Sequence, residues 1–213
     1  PPDRAGAAPT GLLADARAGL GYIWSRPALR IIALGFCAVV AANGVDDVAL
    51  VVLGTDDLHA SDSAIALMLA GVGVGLLAGY ALLVRGARAA STTVLLVAGF
   101  AVSSLGNLLT GLAWAVAVVI ALQTVRGLGV AAMDVASNTL VQRLVPDGLL
   151  GRVFGNLYGA IGVSAAVSYI GGGLLLDAVG APLTFVLAGA AGTVASAAVA
   201  VTLPGRTRDP APS

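Results

Sequence analysis

Lysine and glutamate are absent from this sequence, and histidine and cysteine occur once each, as His59 and Cys37. Without lysine there is no retinal Schiff base, and without a histidine inside a helix there is neither an HExxH zinc site nor a serine–histidine intramembrane protease. Walker-type phosphate loops and paired NPA half-helices are also missing, and one cysteine excludes a disulfide framework. We therefore expect no enzyme and no cofactor, metal or nucleic acid partner.

Charge is scarce as well: 10% of the 213 residues are charged and 58% are hydrophobic, and the mean hydropathy is +0.98. These values are typical of a membrane protein. Because a spanning helix needs about 20 apolar residues, the sequence predicts an all-α membrane protein with six transmembrane helices. The apolar runs are roughly 29–53, 64–84, 92–110, 112–134, 153–176 and 182–203.

Three regions follow from these runs. Residues 1–28 are predicted to be a cytoplasmic linker with an interfacial helix, 29–203 a six-helix transmembrane bundle, and 204–213 a disordered cytoplasmic tail. Arginine marks the cytoplasmic side, and with residue 1 placed inside, the outer loops hold no arginine. We expect a multi-pass protein of the plasma membrane with both termini in the cytoplasm.

Small residues recur at a spacing of four in two of the helices. They are Gly71, Gly75 and Gly79 in the second, and Gly155, Gly159, Ser164, Ser168 and Gly172 in the fifth. Such ridges allow close helix packing in a membrane. They predict packing seams, or alternatively surfaces on which helices slide during transport.

A short internal sequence similarity relates the two halves of the chain. The similar segments are GYALLVRG, residues 79–86, and GGLLLDAVG, residues 172–180. Each ends the middle helix of a three-helix set, and by the predicted topology they end on opposite faces. Inverted repeats of this kind are typical of secondary transporters.

A longer segment, NTLVQRLVPDGLLGRVFGNLYG, resembles a loop of the major facilitator superfamily in its macrolide and siderophore exporter (drug:proton antiporter) branch. The matching positions are Val145, Pro146, Asp147, Gly151, Arg152 and Val153. Residues 12–34 are similar to the connection that precedes the seventh helix of such transporters. The resemblance implies half of a major facilitator fold, the carboxyl-terminal half, built as two inverted three-helix repeats.

The function implied by this resemblance is half of a secondary active transporter that exports amphipathic small molecules, coupled to protons, by alternating access. Its partners would be the lipid bilayer, the substrate and an amino-terminal six-helix half, fused or separate, or a second copy. The alternatives are a non-transporting truncated or accessory bundle and a homodimeric six-helix carrier.

Two adjacent acids, Asp46 and Asp47, stand within the first apolar run, just after the helix-weakening pair Asn43-Gly44. Either the helix is interrupted there and one acid faces a substrate or proton pathway with Asn43, or the helix ends near Val45 and both acids sit among the outer headgroups.

Arg126 is the one arginine away from the helix ends, and Gln123 shares its face of the fourth helix. Arg126 is predicted to bind an anionic group or an aspartate across the cavity; snorkelling or a pair with Asp134 is the alternative. At about 1.5 Å per residue it lies some 15 Å from Asp46 in height, so direct pairing with Asp46 is not expected.

The last candidates form a predicted cytoplasmic gate of Asp134, Arg143, Asp147 and Arg152. Asp134 either bonds to Arg143 or Arg152 and latches the gate, or serves as an ordinary capping and interface acid.

Overall fold

The structure is a computed structural model that describes residues 11–86 and 91–203. The described parts of the chain are helical and contain no β-strand. The tails, 1–10 and 204–213, lie outside the described residues, so the predicted disorder stays a prediction. The helices are α1 (Leu12–Ser25), α2 (Pro27–Asn43), α3 (Asp46–Val52), which a π-helical turn (Leu53–Asp57) continues, α4 (Asp62–Gly86), α5 (Thr92–Thr110), α6 (Val116–Leu144) and α7 (Asp147–Thr202).

The first membrane span combines α2, α3 and the π-helical turn. Five stretches of the described residues are long and apolar enough to cross a membrane, and they are Pro27–Asp57, Asp62–Arg85, Thr92–Thr110, Val116–Leu144 and Asp147–Thr202. The chain is thus an all-α protein with five continuous apolar helical stretches, the last of which is unusually long.

The long helix α7 divides into two limbs. At about 1.5 Å per residue its 56 residues would extend about 84 Å, far more than the roughly 30 Å of a bilayer core. The chain bends at Gly180, which has a φ of +78° that glycine adopts without strain, and Pro182 follows. We call the limbs α7a (147–179) and α7b (181–202). The predicted six helices are confirmed.

The helix contacts show two repeats of three spans. The first span, α4 and α5 form one repeat, and α6, α7a and α7b form the other. The two repeats make equivalent contacts with one another. The packing of α4 on α6 corresponds to the packing of α7a on the first span. The packing of α5 on α6 likewise corresponds to that of α7b on α2. Helices α5 and α7b are the third spans of the two repeats, and they pack against each other. Each repeat has an odd number of spans, so the second repeat begins on the side of the membrane opposite to the first. The two repeats are therefore inverted.

The ends of the bundle differ in charge. One end of the bundle contains the starts of α2 and α7a and the ends of α4 and α6. We call it the arginine-bearing end. It holds Arg26, Arg30, Arg85, Arg143 and Arg152.

The interior has three layers along the membrane normal. One apolar cluster, nearer the arginine-bearing end, is centred on Phe36 and Phe100, whose rings meet edge to face with centroids 5.6 Å apart. Another, towards the opposite end, includes Leu53, Met68 and Phe185. Between them lie the buried polar side chains of the candidate site. The apolar layers therefore separate this polar layer from both ends of the bundle.

Helix α1 packs on the arginine-bearing end. Ile23 joins the apolar cluster of the α6 and α7a ends, and the Tyr22 hydroxyl donates to the Leu144 carbonyl at 3.1 Å. Asp15 forms an ion pair with Arg152, with 2.8 Å between Oδ1 and Nε, and Asn156 donates to the Ala16 carbonyl. The helix is thus fixed to α7a by both apolar and polar contacts.

The predicted glycine seams are right for α4 and only in part for α7a. A Cβ at Gly71, Gly75 or Gly79 would meet α6, and one at Gly172 would meet Val45 of the first span. Gly155 and Gly159, in contrast, have nothing within 4 Å of an added Cβ. Gly155 and Gly159 thus form no seam with the other described helices, because they lie on the outward face of α7a.

The seam between α4 and α6 yields a matched test. A Cβ at Gly75 would collide with the backbone carbonyl of Thr124, whereas one at Gly73 would meet nothing. We expect Gly75→Ala to lower the free energy of unfolding by about 1–3 kcal/mol through overpacking. Gly73→Ala should leave it unchanged or raise it by up to about 1 kcal/mol, because alanine favours the helix. Unfolding in mixed detergent micelles measures both, and equal effects would contradict the close approach.

Candidate functional site: a buried ion pair between the two repeats

Asp46 and Arg126 form a buried ion pair between the first helix of each repeat. Oδ2 of Asp46 contacts Nη2 of Arg126 directly. Asp46 is 6% exposed and Arg126 is 9% exposed, so neither charge is solvated as it would be at a surface. A guanidinium cannot lose its charge in a protein, and an unpaired charge in an apolar layer costs several kcal/mol. Each residue therefore compensates the other.

This pairing overturns the depth estimate made from the sequence. The first span extends to Asp57 rather than ending near residue 53, and α6 begins at Val116 rather than at 112. Asp46 is then eleven residues, about 16 Å, from the end of its span, and Arg126 is ten residues, about 15 Å, from the start of α6. Both lie at the same depth. The alternatives for Arg126, snorkelling and pairing with Asp134, are wrong.

The first span is interrupted where the sequence predicts it. Helix α2 ends at Asn43, a turn follows at Gly44 and Val45, and α3 begins at Asp46. Asp46 Oδ1 accepts a hydrogen bond from the Asp47 backbone N–H at 2.9 Å. Acidic side chains in a first turn are favoured by the unpaired N–H groups there. The span continues beyond the acids, so the idea that Asp46 sits among outer headgroups is wrong.

Asp47 has a different environment from Asp46. Consecutive helical residues point about 100° apart, and Asp47 is exposed on the bundle surface, as is its neighbour Val48. The structure therefore separates the two adjacent acids into one that is buried and paired and one that faces outward.

Gln123 extends the ion pair towards α5. Its Oε1 accepts a hydrogen bond from Arg126 Nη1 at 3.1 Å, one helical turn away. Its Nε2 lies 3.5 Å from the Thr110 hydroxyl, which in turn donates to the Gly106 carbonyl. Gln123 and Thr110 are fully buried. Gln123 thus holds the guanidinium in place, as expected from its position on the same face.

Asn43 connects the first span with α5 in the same layer. Its Nδ2 donates to the Val39 carbonyl and to the Ser104 hydroxyl, 3.3 Å away, and its Oδ1 accepts from Asn107 Nδ2 at 2.9 Å. Asn43, Ser104 and Asn107 are all buried. This network immobilises the residue that ends α2, directly before the interruption.

The α5 members of the polar layer, Ser104, Asn107 and Thr110, were missed from the sequence. They recur every three residues in an apolar span, which places them along one face of a helix. That periodicity was available as a signal, although serine and threonine are common in transmembrane helices because they can bond to their own backbone.

Three buried polar atoms of the layer have no hydrogen-bond partner among the described residues: Nε of Arg126, Oδ1 of Asn107, and Oδ2 of Asp46, which is engaged in the ion pair. The first is a donor beside the ion pair, and the second is an acceptor on α5. An unsatisfied buried polar atom is costly, so the layer has spare capacity for one further donor and one further acceptor.

The predicted gate residues do not form one cluster. Arg143 donates from Nη1 to the Thr92 hydroxyl at 3.2 Å, Arg152 pairs with Asp15, and Asp147 lies exposed in the first turn of α7. Of the two alternatives for Asp134, the bond to Arg143 or Arg152 is therefore wrong, and the contacts that it makes with α4 are those of an interface acid. Those arginines lie at helix ends, where their long side chains reach neighbouring segments instead.

Asp134 joins a polar chain across three helices. The Tyr80 hydroxyl of α4 donates to its Oδ2 at 2.8 Å, and Asn138 Nδ2 donates to its Oδ1 at 3.2 Å. The Tyr158 hydroxyl of α7a then donates to Asn138 Oδ1 at 2.9 Å. Asp134 therefore links α4, α6 and α7a through neutral donors on the arginine-bearing side of the ion pair.

No group of three or more His, Cys, Asp or Glu residues that would suit a metal ion occurs within the parts of the chain that the structure describes.

The fold and the buried pair define a polytopic membrane protein with inverted repeats and charges inside its spans. A family model, the Major Facilitator Superfamily, matches residues 31–213. The chain belongs to this superfamily of transporters, which are generally not enzymes. A search of curated proteins finds no match.

The ion pair yields a prediction with an adjacent control. Asp46→Asn leaves Arg126 without its carboxylate in an apolar surround, so we expect the free energy of unfolding to fall by about 3–5 kcal/mol. Asp47→Asn removes an exposed charge and should change it by less than about 0.5 kcal/mol. Unfolding of both variants in detergent micelles measures this. A loss for Asp47→Asn as large as that for Asp46→Asn would contradict the assignment.

Proposed function

We propose that this chain is the carboxyl-terminal half of a proton-coupled exporter of amphipathic small molecules that works by alternating access in the plasma membrane. The observation that carries the proposal is the buried Asp46–Arg126 pair, which joins equivalent helices of the two inverted repeats. An ionisable residue within a membrane span is costly and points to an ion or substrate pathway.

The chemistry of the pair suits coupling to protons. Only Asp46 can change its charge, since the guanidinium stays protonated. In this proposal a donor group of the substrate binds to the deprotonated Asp46 carboxylate, which Arg126 holds in place. A proton on Asp46 removes that acceptor and releases the substrate. Proton and substrate then compete for a single carboxylate, as antiport requires.

The surroundings of the pair suit an amphipathic substrate. Asp47 and Val48 follow Asp46 on α3, and Val125 precedes Arg126 on α6; all three are exposed in this chain. We assign these side chains to the wall of the transport cavity. They offer apolar area beside one charge. On the buried side, Gln123 accepts a hydrogen bond from Arg126, and Asn43 accepts one from Asn107 of α5.

A second six-helix unit is required to close such a cavity, and α7a offers it a surface. Gly155, Gly159 and Gly162 recur along one face, with nothing within 4 Å of an added Cβ. The large side chains of Val163 and Ile170 on the same limb are 66% and 71% exposed. Small residues permit close backbone approach in membranes. We assign this face to the amino-terminal half.

The arginine-bearing end is proposed to face the cytoplasm, in accord with the positive-inside tendency. The Asp134 chain and the Arg152–Asp15 pair would then stabilise the cytoplasmic side of the half. Arg143 and Asp147 lie on the same side, at the end of α6 and the start of α7a, without forming one cluster with these groups.

Transport by the complete assembly tests the role of the pair. We expect Asp46→Asn and Arg126→Ala each to reduce efflux driven by a pH gradient at least about tenfold, because 1.4 kcal/mol of lost coupling suffices for that factor. Asp47→Asn should retain the proton dependence and alter the substrate affinity alone. Folded protein in the membrane is quantified for each variant. Unchanged efflux in all three would disprove the site.

The assembly itself is tested by native mass spectrometry of the chain extracted from its own membrane. We expect a second six-helix half, fused or separate. A homodimer would instead indicate a self-sufficient six-helix carrier, and a lone 20.8 kDa monomer would favour a truncated or accessory bundle that does not transport.

A further inference from the structure

A small apolar groove opens between α1, α2 and α7a at the arginine-bearing end. Its volume is about 100 Å³. The lining includes Leu20 and Trp24 of α1, Leu34 and Cys37 of α2, and Ala160 of α7a. Leu20, Trp24 and Leu34 are each about half exposed. The groove is therefore open along its side, at a depth where a spanning helix meets the polar surface of the bilayer.

Arg30 lines this groove, and Arg26 lies nearby in the chain, at the junction of α1 and α2. The Arg30 guanidinium carbon lies 5.9 Å from the centre of the Trp24 ring, and that of Arg26 lies 5.6 Å from the centre of the Tyr22 ring. Neither arginine forms an ion pair with any residue that the structure describes. Arg26 precedes the first residue of α2 in an extended conformation and does not line the groove. The Trp24 ring therefore holds one uncompensated cation, Arg30, beside the apolar slot.

The size of the groove limits what fits it. Pockets for drug-sized ligands measure about 300–1,000 Å³, so a slot of about 100 Å³ suits a segment of a single hydrocarbon chain. The groove is also separate from the Asp46–Arg126 layer, because the Phe36 and Phe100 cluster fills the space between them. A transported substrate is thus not its natural occupant.

We propose that this groove binds an anionic phospholipid of the surrounding leaflet, with part of one acyl chain against Leu34 and Cys37 and the phosphate beside Arg30. Basic residues at a membrane surface attract anionic lipids, each contributing about fivefold to their local occupancy. Tryptophan at the rim is typical of the membrane interface. The bound lipid would join α1 to α2 and α7a. This inference does not depend on the proposed transport activity.

The two tryptophans of the chain provide a reporter and a control. Trp24 lines the groove, whereas Trp114 is 80% exposed between α5 and α6, at the opposite end. The full chain carrying Trp114→Phe is reconstituted in phosphatidylcholine vesicles that contain a fixed fraction of dibrominated lipid. That lipid is either phosphatidylglycerol or phosphatidylcholine, and quenching of tryptophan fluorescence by the bromine atoms is measured.

We expect dibrominated phosphatidylglycerol to quench Trp24 several-fold more effectively than dibrominated phosphatidylcholine. Arg30→Gln should reduce this preference about fivefold. Arg85→Gln is the matched control, since Arg85 is exposed at the same end on α4, away from the groove. It should leave the preference intact. With Trp24→Phe, quenching of Trp114 should show no preference between the two lipids.

The sole cysteine adds a second, independent arm. N-ethylmaleimide on Cys37 would occupy the apolar slot, and we expect it to lower the phosphatidylglycerol preference with both arginines unchanged. Inorganic phosphate at millimolar concentration should not compete with the lipid. Competition would show an anion site without a chain-binding groove and would overturn the proposal.

Equal quenching by the two lipids would overturn the proposal as well. Equal losses for Arg30→Gln and Arg85→Gln would also overturn it, because they would indicate an effect of general surface charge.

Discussion

A guanidinium that cannot be deprotonated, placed between two apolar layers, is the constraint on which the rest of this structure depends. Arg126 needs a carboxylate at its own depth, and Asp46 supplies it from the other repeat. Because an unpaired charge there costs several kcal/mol, the register of the first span against α6 is fixed. The interruption at Gly44 and Val45 is the local feature that brings Asp46 to this position.

The pair also explains why the centre of an apolar bundle is polar. Gln123, which is itself bonded to Thr110, accepts a hydrogen bond from the guanidinium, and Asn43 ties the interruption to Asn107 on α5. These hydrogen bonds hold the side chains of the layer in place, yet its carboxylate can be neutralised by one proton. The proposed proton-coupled function uses both properties: an ordered layer, and a titratable group within it.

Much of this arrangement is predictable from the sequence, and the failures have physical causes. The apolar runs, the inverted repeats and the interruption after Asn43 follow from hydropathy, span count and the Asn-Gly pair. The Asp46–Arg126 contact does not, because the first span continues through the polar residues Asp56 and Asp57 and α6 begins after the start of its apolar run. An error of four residues at each of these two ends adds up to about 12 Å in depth. The partners of Asp134 are neutral tyrosine and asparagine side chains, which a search for opposite charges overlooks.

The most direct test of the central claim is the coupling energy between Asp46 and Arg126 in a double-mutant cycle with Asp46→Asn, Arg126→Gln and the double variant. The free energy of unfolding is measured for each in the same detergent mixture. The account predicts that each single variant is strongly destabilised and that the double variant recovers at least about 2 kcal/mol relative to their sum, as expected for a buried charged pair. Additive effects would show that the two charges do not depend on one another and would contradict the account.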